Sequence, residues 1–397
     1  MTHGRRSVPL DSKADVVLLA TADWSNPFWT NKQHVAVELA RRGHRVLYID
    51  SLGLRRPSAS QHDVGRIAKR LLRGLRPPRR VRDRLWVWSP LVIPLQSRSV
   101  VRTLNRWSLR FGLWLWTRWL HLRRDLLWTY NPMTTLLFPM RDFGTVVYHC
   151  VDEIGAQRGM PRAEIDAAER ELLTCVDHCF VTAESLLDTR RERCESIHYF
   201  PNVADFEHFA AAREEQTRVP EDLAVLGGPI VGFIGAITEQ KLDFALVRAL
   251  AEAHPEYSIV LIGKVGEGDP WASAEPLRGL SNVHLLGPRP YEVLPAYLKG
   301  FDVAVLPSAL NDYTSGMFPM KFFEYLAAGC PVVATALPAL QAFGAVACLA
   351  ETTVGFIAGV EKAVRGECSP LAARLAVARE HTYERRTGLM MQLVEAP

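Results

Sequence analysis

Apolar positions along this chain fall into short continuous runs separated by stretches of helical period, and the alternation occurs twice. Residues 16–21 (VVLLAT) read as a buried strand, 30–43 (TNKQHVAVELARRG) as an amphipathic helix stopped by its glycine, and 44–50 (HRVLYID) as a second strand. Further strand runs lie in RLWVWSPLVIP, DLLWTYNP, TVVYHCVDE, HCFVTA and IHYFPNV, with a long helix in MPRAEIDAAERELLTCV. Residues 211–229 carry charges, Pro and Gly without apolar period and read as a linker. Beyond them the pattern restarts: IVGFIGAI, YSIVLIGK, NVHLLG, FDVAVLPS and PVVAT as parallel strands with helices between, then an amphipathic helical tail over 371–394. The pattern predicts an α/β protein with two Rossmann-like parallel-sheet domains, 14–210 and 230–370, followed by the segment 371–397.

Composition changes this picture little: 48% hydrophobic and 23% charged residues in 397 are ordinary for a globular chain of two or three domains. Charge changes it more. Between Leu54 and Arg124 there are 18 Lys and Arg against only Asp63 and Asp83, a balance of +16 in a chain whose total is +4. In this insertion, 54–124, the stretch RIAKRLLRGLRPPRRVR begins amphipathically, and RTLNRWSLRFGLWLWTRWLHLRR interleaves Trp107, Trp114, Trp116 and Trp119 with arginines. Three readings are open: an interfacial segment on an anionic membrane, a core helix with a solvated arginine rim, and a nucleic-acid surface. Nucleic acid is disfavoured, because no recognisable module is present and the aromatics recur at helical intervals.

No run of about 18 apolar residues appears, and the N-terminus lacks an apolar signal region, so neither a signal peptide nor a spanning helix is expected. Seven cysteines, odd in number and scattered among apolar neighbours, point to reduced thiols in a cytoplasmic protein, peripheral at most to the inner membrane face. Cys175 and Cys179 make a CxxxC without a second pair, so no metal is expected.

Candidate chemistry concentrates in 311–333, NDYTSGMFPMKFFEYLAAGCPVV. Pro319 suits a first helical turn, Gly329 the left-handed position after the last, and Pro331 forbids continuation, so a helix is predicted over 319–328. Ahead of it Thr314, Ser315 and Gly316 are small and polar, so free N–H groups and the helix dipole would favour an anion such as a diphosphate. Lys321 and Glu324 share a helical face, placing a cation near the phosphates and a carboxylate deeper, able to accept two sugar hydroxyls. A surface Lys–Glu pair on an ordinary helix is the plainer alternative.

This segment resembles the donor motif of GT-B glycosyltransferases, most closely the group 1 retaining family, and in particular enzymes of the teichuronic-acid and exopolysaccharide type. The resemblance implies that Glu324 binds the ribose of a nucleotide sugar. The family's first motif glutamate would fall at Gly316, and the arrangement around Pro319 and Lys321 resembles a sub-branch that lacks it. Likeness recurs in order through most of the chain. YHCVDE resembles a family strand end, with His149 where aspartate is common, and FPNVADFEHF resembles the interdomain segment, with Val203 replacing a glycine. GFIGAITEQKLD resembles the first donor-domain strand and loop, where Ala236 replaces an arginine and Lys241 keeps the lysine. NVHLLGPRPYEVLPAYLKGFDVAVLP resembles the part that wraps the nucleobase, with backbone near Gly287 and Arg289 closest to it.

What the resemblance implies is two domains facing across a cleft, a last helix crossing back to the first domain, and retaining transfer from a nucleotide-diphosphate sugar to an acceptor hydroxyl without a separate cofactor. Ligands bind outside the carboxyl ends of such sheets, which selects the loops after Thr21, Thr129, Cys150, Gly235, Gly263 and Pro307. Trp24, Asn31, Lys32 and His34 suit stacking on and hydrogen-bonding an acceptor sugar. Asp152 and His149 are candidates for acceptor activation, against the alternative of structural hydrogen bonds at a strand end. Lys241, Lys321 and the helix dipole would neutralise the leaving diphosphate. The expected partners are a nucleotide sugar, a glycan or lipid-linked acceptor and an anionic membrane surface. Two other functions stay open: a nucleotide-sugar epimerase on the same fold, and a catalytically silent, membrane-associated nucleotide-binding protein.

Overall fold

Strand by strand, side chains point alternately to the two faces of a sheet, and in this protein both faces of the central strands are apolar, as parallel strands covered by helices on each side require. The computed structural model describes residues 13–26, 29–52, 74, 76–92, 99–157, 160–266 and 273–396. The basic amphipathic start of the insertion over 66–73 lies outside them. The described chain divides into two compact units, one holding the residues up to Phe200 together with those from Arg386 onward, the other Pro201–Arg385.

The first unit is built on β1 (Asp15–Leu19), β2 (Arg45–Ile49), β3 (Arg79–Arg82), β4 (Leu85–Trp88), β5 (Leu126–Thr129), β6 (Thr145–Cys150), β7 (His178–Val181) and β8 (Ile197–Tyr199), in the order β3-β4-β2-β1-β5-β6-β7-β8. All neighbours are parallel except β3 and β4. Val17, Leu19, Leu47, Ile49 and Leu127 face one core; Val16, Leu18, Val46, Tyr48 and Trp128 face the other. Met390, Met391 and Val394 of the last helix, Tyr383–Glu395, complete the second core. The tail is two helices rather than one run. Leu371–Glu380 stops at His381, whose ring stacks on Phe323 at 4.3 Å, and the Thr382 hydroxyl accepts from the Arg385 N–H as the next helix begins.

The insertion contributes a 21-residue helix, Ser99–Trp119. Leu109 and Leu113 are buried in the first core, whereas Leu104, Trp107, Phe111 and Trp114 are exposed. The core-helix reading therefore describes one face only.

A buried charge network, not visible in the sequence, ties β6 to the helices Arg162–Leu173 and Glu184–Arg190. The Arg190 guanidinium donates to Glu169 at 2.9 Å and to Glu153 at 3.0 Å, while the Tyr148 hydroxyl donates to Glu169 at 2.6 Å. The two carboxylates hold the guanidinium charged in spite of its burial. Breaking such a pair from one side leaves buried charge uncompensated, so Arg190→Met is expected to lower unfolding stability by about 3–5 kcal/mol. Urea denaturation checks this, with a marked drop in midpoint as the expected result.

The second unit carries β9 (Ile230–Ile234), β10 (Ser258–Ile262), β11 (Val283–Leu285), β12 (Val303–Leu306), β13 (Val332–Thr335) and β14 (Cys348–Ala350). Its order is β11-β10-β9-β12-β13-β14, all parallel, which places a topological switch between β9 and β12. The expected linker 211–229 is not a bare connection. It contains the helix Glu221–Ala224, with Ala212 and Leu223 buried in the second unit's core.

Candidate functional site

In the second unit the loops leaving β9 and β12 at the switch point are laced together. Ser308 bridges Leu242, the Ala309 N–H donates to the Lys241 carbonyl at 3.0 Å, and the Asn311 amide donates to the Gln240 carbonyl at 2.9 Å. Strand pairing between β9 and β12 ends at Gly232. Past that point the Tyr325 hydroxyl takes over, accepting from the Ile234 N–H at 2.8 Å and donating to the Ile234 carbonyl at 3.2 Å. Tyr325 thereby fixes the helix Lys321–Ala328 against the end of β9, and with it the neighbouring residue Glu324.

That helix begins two residues later than predicted, because Pro319 and Met320 form a turn in which the Phe322 N–H donates to the Pro319 carbonyl. It ends as expected, with Gly329 left-handed at φ 89°. Glu324 is 3% exposed and Lys321 donates to its Oε2 at 2.6 Å. This is no surface pair. Burial pushes the carboxyl above its usual range, against the opposing pull of Lys321 and His208, while Asp205 adds to the rise. His208 stacks on Tyr291 at 4.2 Å and its Nε2 meets the Tyr291 carbonyl at 2.9 Å. Asn202, Asp205, His208 and Tyr291 were not singled out from the sequence, since their proximity to this helix depends on the fold.

Thr314, Ser315 and Gly316 differ from expectation. Thr314 and Ser315 belong to a short helix, Asp312–Ser315, capped by Asn311 and followed by Gly316, and the donors of all three are in use: Thr314 N–H to Asn311 Oδ1 at 3.1 Å, Ser315 N–H to the Asn311 carbonyl at 2.9 Å, and Gly316 N–H to the Thr314 carbonyl. The run is a rigid bracket rather than an open cradle of N–H groups. Asn202 steadies it further by donating to the Phe318 carbonyl at 2.6 Å. Lys241 projects its ammonium over the Tyr313 ring at 5.7 Å. Gly235, Gly263 and Gly287 line up where β9, β10 and β11 end. The Gly263 N–H donates to the Gly287 carbonyl at 3.1 Å, and a Cβ on Gly263 would lie 1.7 Å from the Gly235 oxygen. Arg289 turns its side chain to Asp222 at 2.6 Å and to the Tyr297 hydroxyl at 2.6 Å.

In the first unit the loop after β1 and the helix Asn31–Arg41 bring together Asn31, Lys32, Tyr130 and His149. Arg386 donates to Asn31 at 2.7 Å, Lys32 lies over the Tyr130 ring at 5.6 Å, and Tyr130 stacks on His149 at 4.9 Å. His34 packs its ring edge on Trp29 at 5.3 Å and is buried. Trp24 is no stacking platform. It is buried against Tyr48 and Trp29, and its N–H is held by Asp50 at 2.7 Å. Asp152 is half-buried on the loop after β6, where its carbonyl accepts from Ile154.

His149 is fully buried among Trp128, Tyr130 and Phe180, and neither ring nitrogen has a hydrogen-bond partner among the described residues. It cannot reach an acceptor hydroxyl from there, and the structural hydrogen bond considered for it is absent as well. Burial, then Arg386 and Lys32, hold its pKa well below 6.5. The unfolded chain therefore binds a proton that the folded one does not, and stability falls as the pH drops below about 6.5. His149→Phe is expected to flatten that acid limb. Comparing unfolding midpoints at neutral and mildly acid pH tests it; an unchanged slope would mean that the other depressed histidines, His44, His178, His198 and His381, carry the whole effect.

Residues 228–364 match the family described as Glycosyl transferases group 1. The second unit thus contains a group 1 glycosyltransferase domain. The group 1 domain takes in Gly235, Lys241, Gly263, Gly287, Arg289, Thr314, Ser315, Gly316, Lys321 and Glu324. Among curated proteins, the chain is 30% identical over 231 residues to TuaH of Bacillus subtilis (strain 168), named as a teichuronic acid biosynthesis glycosyltransferase; the match covers 54% of this chain and 56% of that one. The likeness therefore spans little more than half of that relative. Among solved structures, sucrose-phosphate synthase from Thermosynechococcus elongatus matches with a TM-score of 0.66 at 18% identity, over 96% of this chain and 98% of that one. The Anabaena protein HepE in complex with UDP-glucose matches with a TM-score of 0.66 at 13% identity, over 96% and 99%. The fold is GT-B, with the group 1 domain in its second unit.

Proposed function

We propose that the protein transfers a sugar from a nucleotide-diphosphate sugar to a hydroxyl of a cell-surface glycan or a lipid-linked acceptor. One observation carries this reading: a buried carboxylate, Glu324, held beside Lys321 at the switch point of a group 1 domain. A carboxylate of this kind accepts both hydroxyls of a ribose, and burial strengthens those bonds by excluding water. HepE has been solved with UDP-glucose, which supports a nucleotide sugar as donor. Lys321 and Lys241 would stabilise charge developing on the leaving diphosphate, the electrostatic contribution that dominates such transfers. Gly235 and Gly263 let the ends of β9 and β10 pack closely beneath the proposed phosphate site. In the first unit, Asp152 is the remaining candidate for acceptor activation, with Asn31, Lys32 and His34 as supports of the acceptor loop. We take retention at the anomeric carbon and the absence of a separate cofactor from the family likeness, and action at the cytoplasmic membrane face from the cysteine usage and the basic, aromatic insertion.

The test is incubation with UDP-, GDP- and dTDP-sugars, with and without membrane-extracted lipid-linked glycans. Nucleotide release that requires acceptor is expected. Conversion of the sugar nucleotide with no acceptor would instead make the protein an epimerase, and binding without any turnover a silent nucleotide-binding protein.

A further inference from the structure

The helix Ser99–Trp119 presents two apolar faces, and only one meets the core. At 3.6 residues per turn, Leu104, Trp107, Phe111 and Trp114 fall within a wedge of roughly 80°, opposite Asn105, Leu109 and Trp116, and extend over about 15 Å. Their exposures are 54%, 68%, 61% and 53%. Four large apolar side chains in one uninterrupted stripe are unusual on a soluble surface, where such groups normally occur singly. The stripe runs into basic residues: Arg118 continues the same wedge, Arg106 flanks it, and both are exposed. Trp119, 59% exposed, stands at the end beside Arg118, and Arg123, 58% exposed, follows shortly after. Among the described residues of this helix there is no Asp or Glu.

We infer that this face is an interfacial anchor for an anionic lipid surface, with the helix lying in the plane of the headgroups, the aromatic stripe reaching the acyl boundary and the arginines pairing with lipid phosphates. Charge complementarity selects this occupant, because the segment 54–124 is strongly basic while the rest of the chain is net acidic. A purely apolar protein partner would not account for the arginines, and a nucleic acid would not account for four exposed aliphatic and aromatic side chains. The helix is not long and apolar enough to cross a membrane. It lies on the surface rather than spanning it. This deepens the proposed lipid-linked acceptor, and its test involves no nucleotide, so the two can fail separately.

Vesicle flotation of the full chain decides it, using phosphatidylcholine alone and phosphatidylcholine mixed with phosphatidylglycerol. The wild type is expected to float with the mixed vesicles, to lose most of that binding in high salt, and to show a blue shift of tryptophan emission on binding. Trp107→Ser/Phe111→Ser/Trp114→Ser should remain with the soluble fraction while keeping its thermal unfolding midpoint, since these side chains face away from the core. Arg106→Gln/Arg118→Gln should bind several-fold more weakly. Failure to float with either vesicle overturns the inference, as does equal binding by the triple variant. A wild-type dimer in sedimentation that the triple variant abolishes, without vesicle binding, would assign the stripe to a second copy instead.

Discussion

Glu324→Ala is expected to weaken nucleoside-diphosphate binding about ten-fold to over a hundred-fold, the loss of a charge-assisted hydrogen bond worth roughly 1.5–3 kcal/mol. Loss of fold would not explain that result. The folded-state pKa of Glu324 is raised by burial above that of the unfolded chain, so protonation favours the fold and stability is lost as pH rises through the raised value. At neutral pH the charged carboxylate is therefore a cost to folding, and Glu324→Gln should unfold no earlier than the wild type while still binding nucleotide poorly. Lys321, with its side chain 24% exposed, can turn to solvent when its partner is removed. Calorimetry on both variants measures the effect. Wild-type affinity in both would remove Glu324 from the site.

Gly263→Ala should have the largest effect on the architecture beneath the site. The added methyl would lie 1.7 Å from the Gly235 carbonyl oxygen, a backbone atom that cannot swing aside, so the ends of β9 and β10 must separate. A cost of about 3 kcal/mol is expected, at the upper end of the range for overpacking. Nucleotide binding should fall with it, because Gly235 leads into the loop that carries Lys241. Gly227→Ala is the control: there a Cβ meets nothing within 4 Å, and stability should change by less than about 1 kcal/mol. Equal denaturation midpoints for Gly263→Ala and the wild type would show that the two strand ends are not packed as described.

Those two residues were legible in the sequence for different reasons. Glu324 was visible because Pro319 and Gly329 bracket a helix of defined phase, which puts Lys321 and Glu324 on one face before any tertiary contact is known. Gly263 stood at the end of an apolar run in a repeated strand pattern. The central strands of both sheets were read correctly because covered parallel strands are apolar on both faces. At the sheet margins β8 and β11 were read, as IHYFPNV and NVHLLG, whereas β3 and β14 were not. β3 is RRVR, a strand of exposed side chains at a sheet edge, where charge serves to prevent further pairing and erases the apolar signal. β14 has only three residues, and the helix Thr353–Val364 was not read although Phe356, Gly359, Val360 and Ala363 recur at helical spacing.

The site's supporting contacts were hidden for another reason. Asn202 to Phe318, His208 to Tyr291, and Tyr325 to Ile234 join residues 83 to 116 positions apart, so neither residue of a pair signals the other locally. His149 and Trp24 were misplaced by the same limit. Each follows or ends a strand on the expected side of the sheet, but only the packing of Trp128, Tyr130, Tyr48 and Phe180 shows that both rings are enclosed. Thr314, Ser315 and Gly316 were read as open donors because the short helix that Asn311 caps was not anticipated.

The proposed transfer requires a nucleoside-diphosphate site within residues 228–364. Calorimetric titration of the wild-type protein with UDP, GDP, dTDP and ADP tests it most directly. Saturable binding of one diphosphate in preference to the others, at one site per chain, is the predicted result; failure of all four to bind would contradict it.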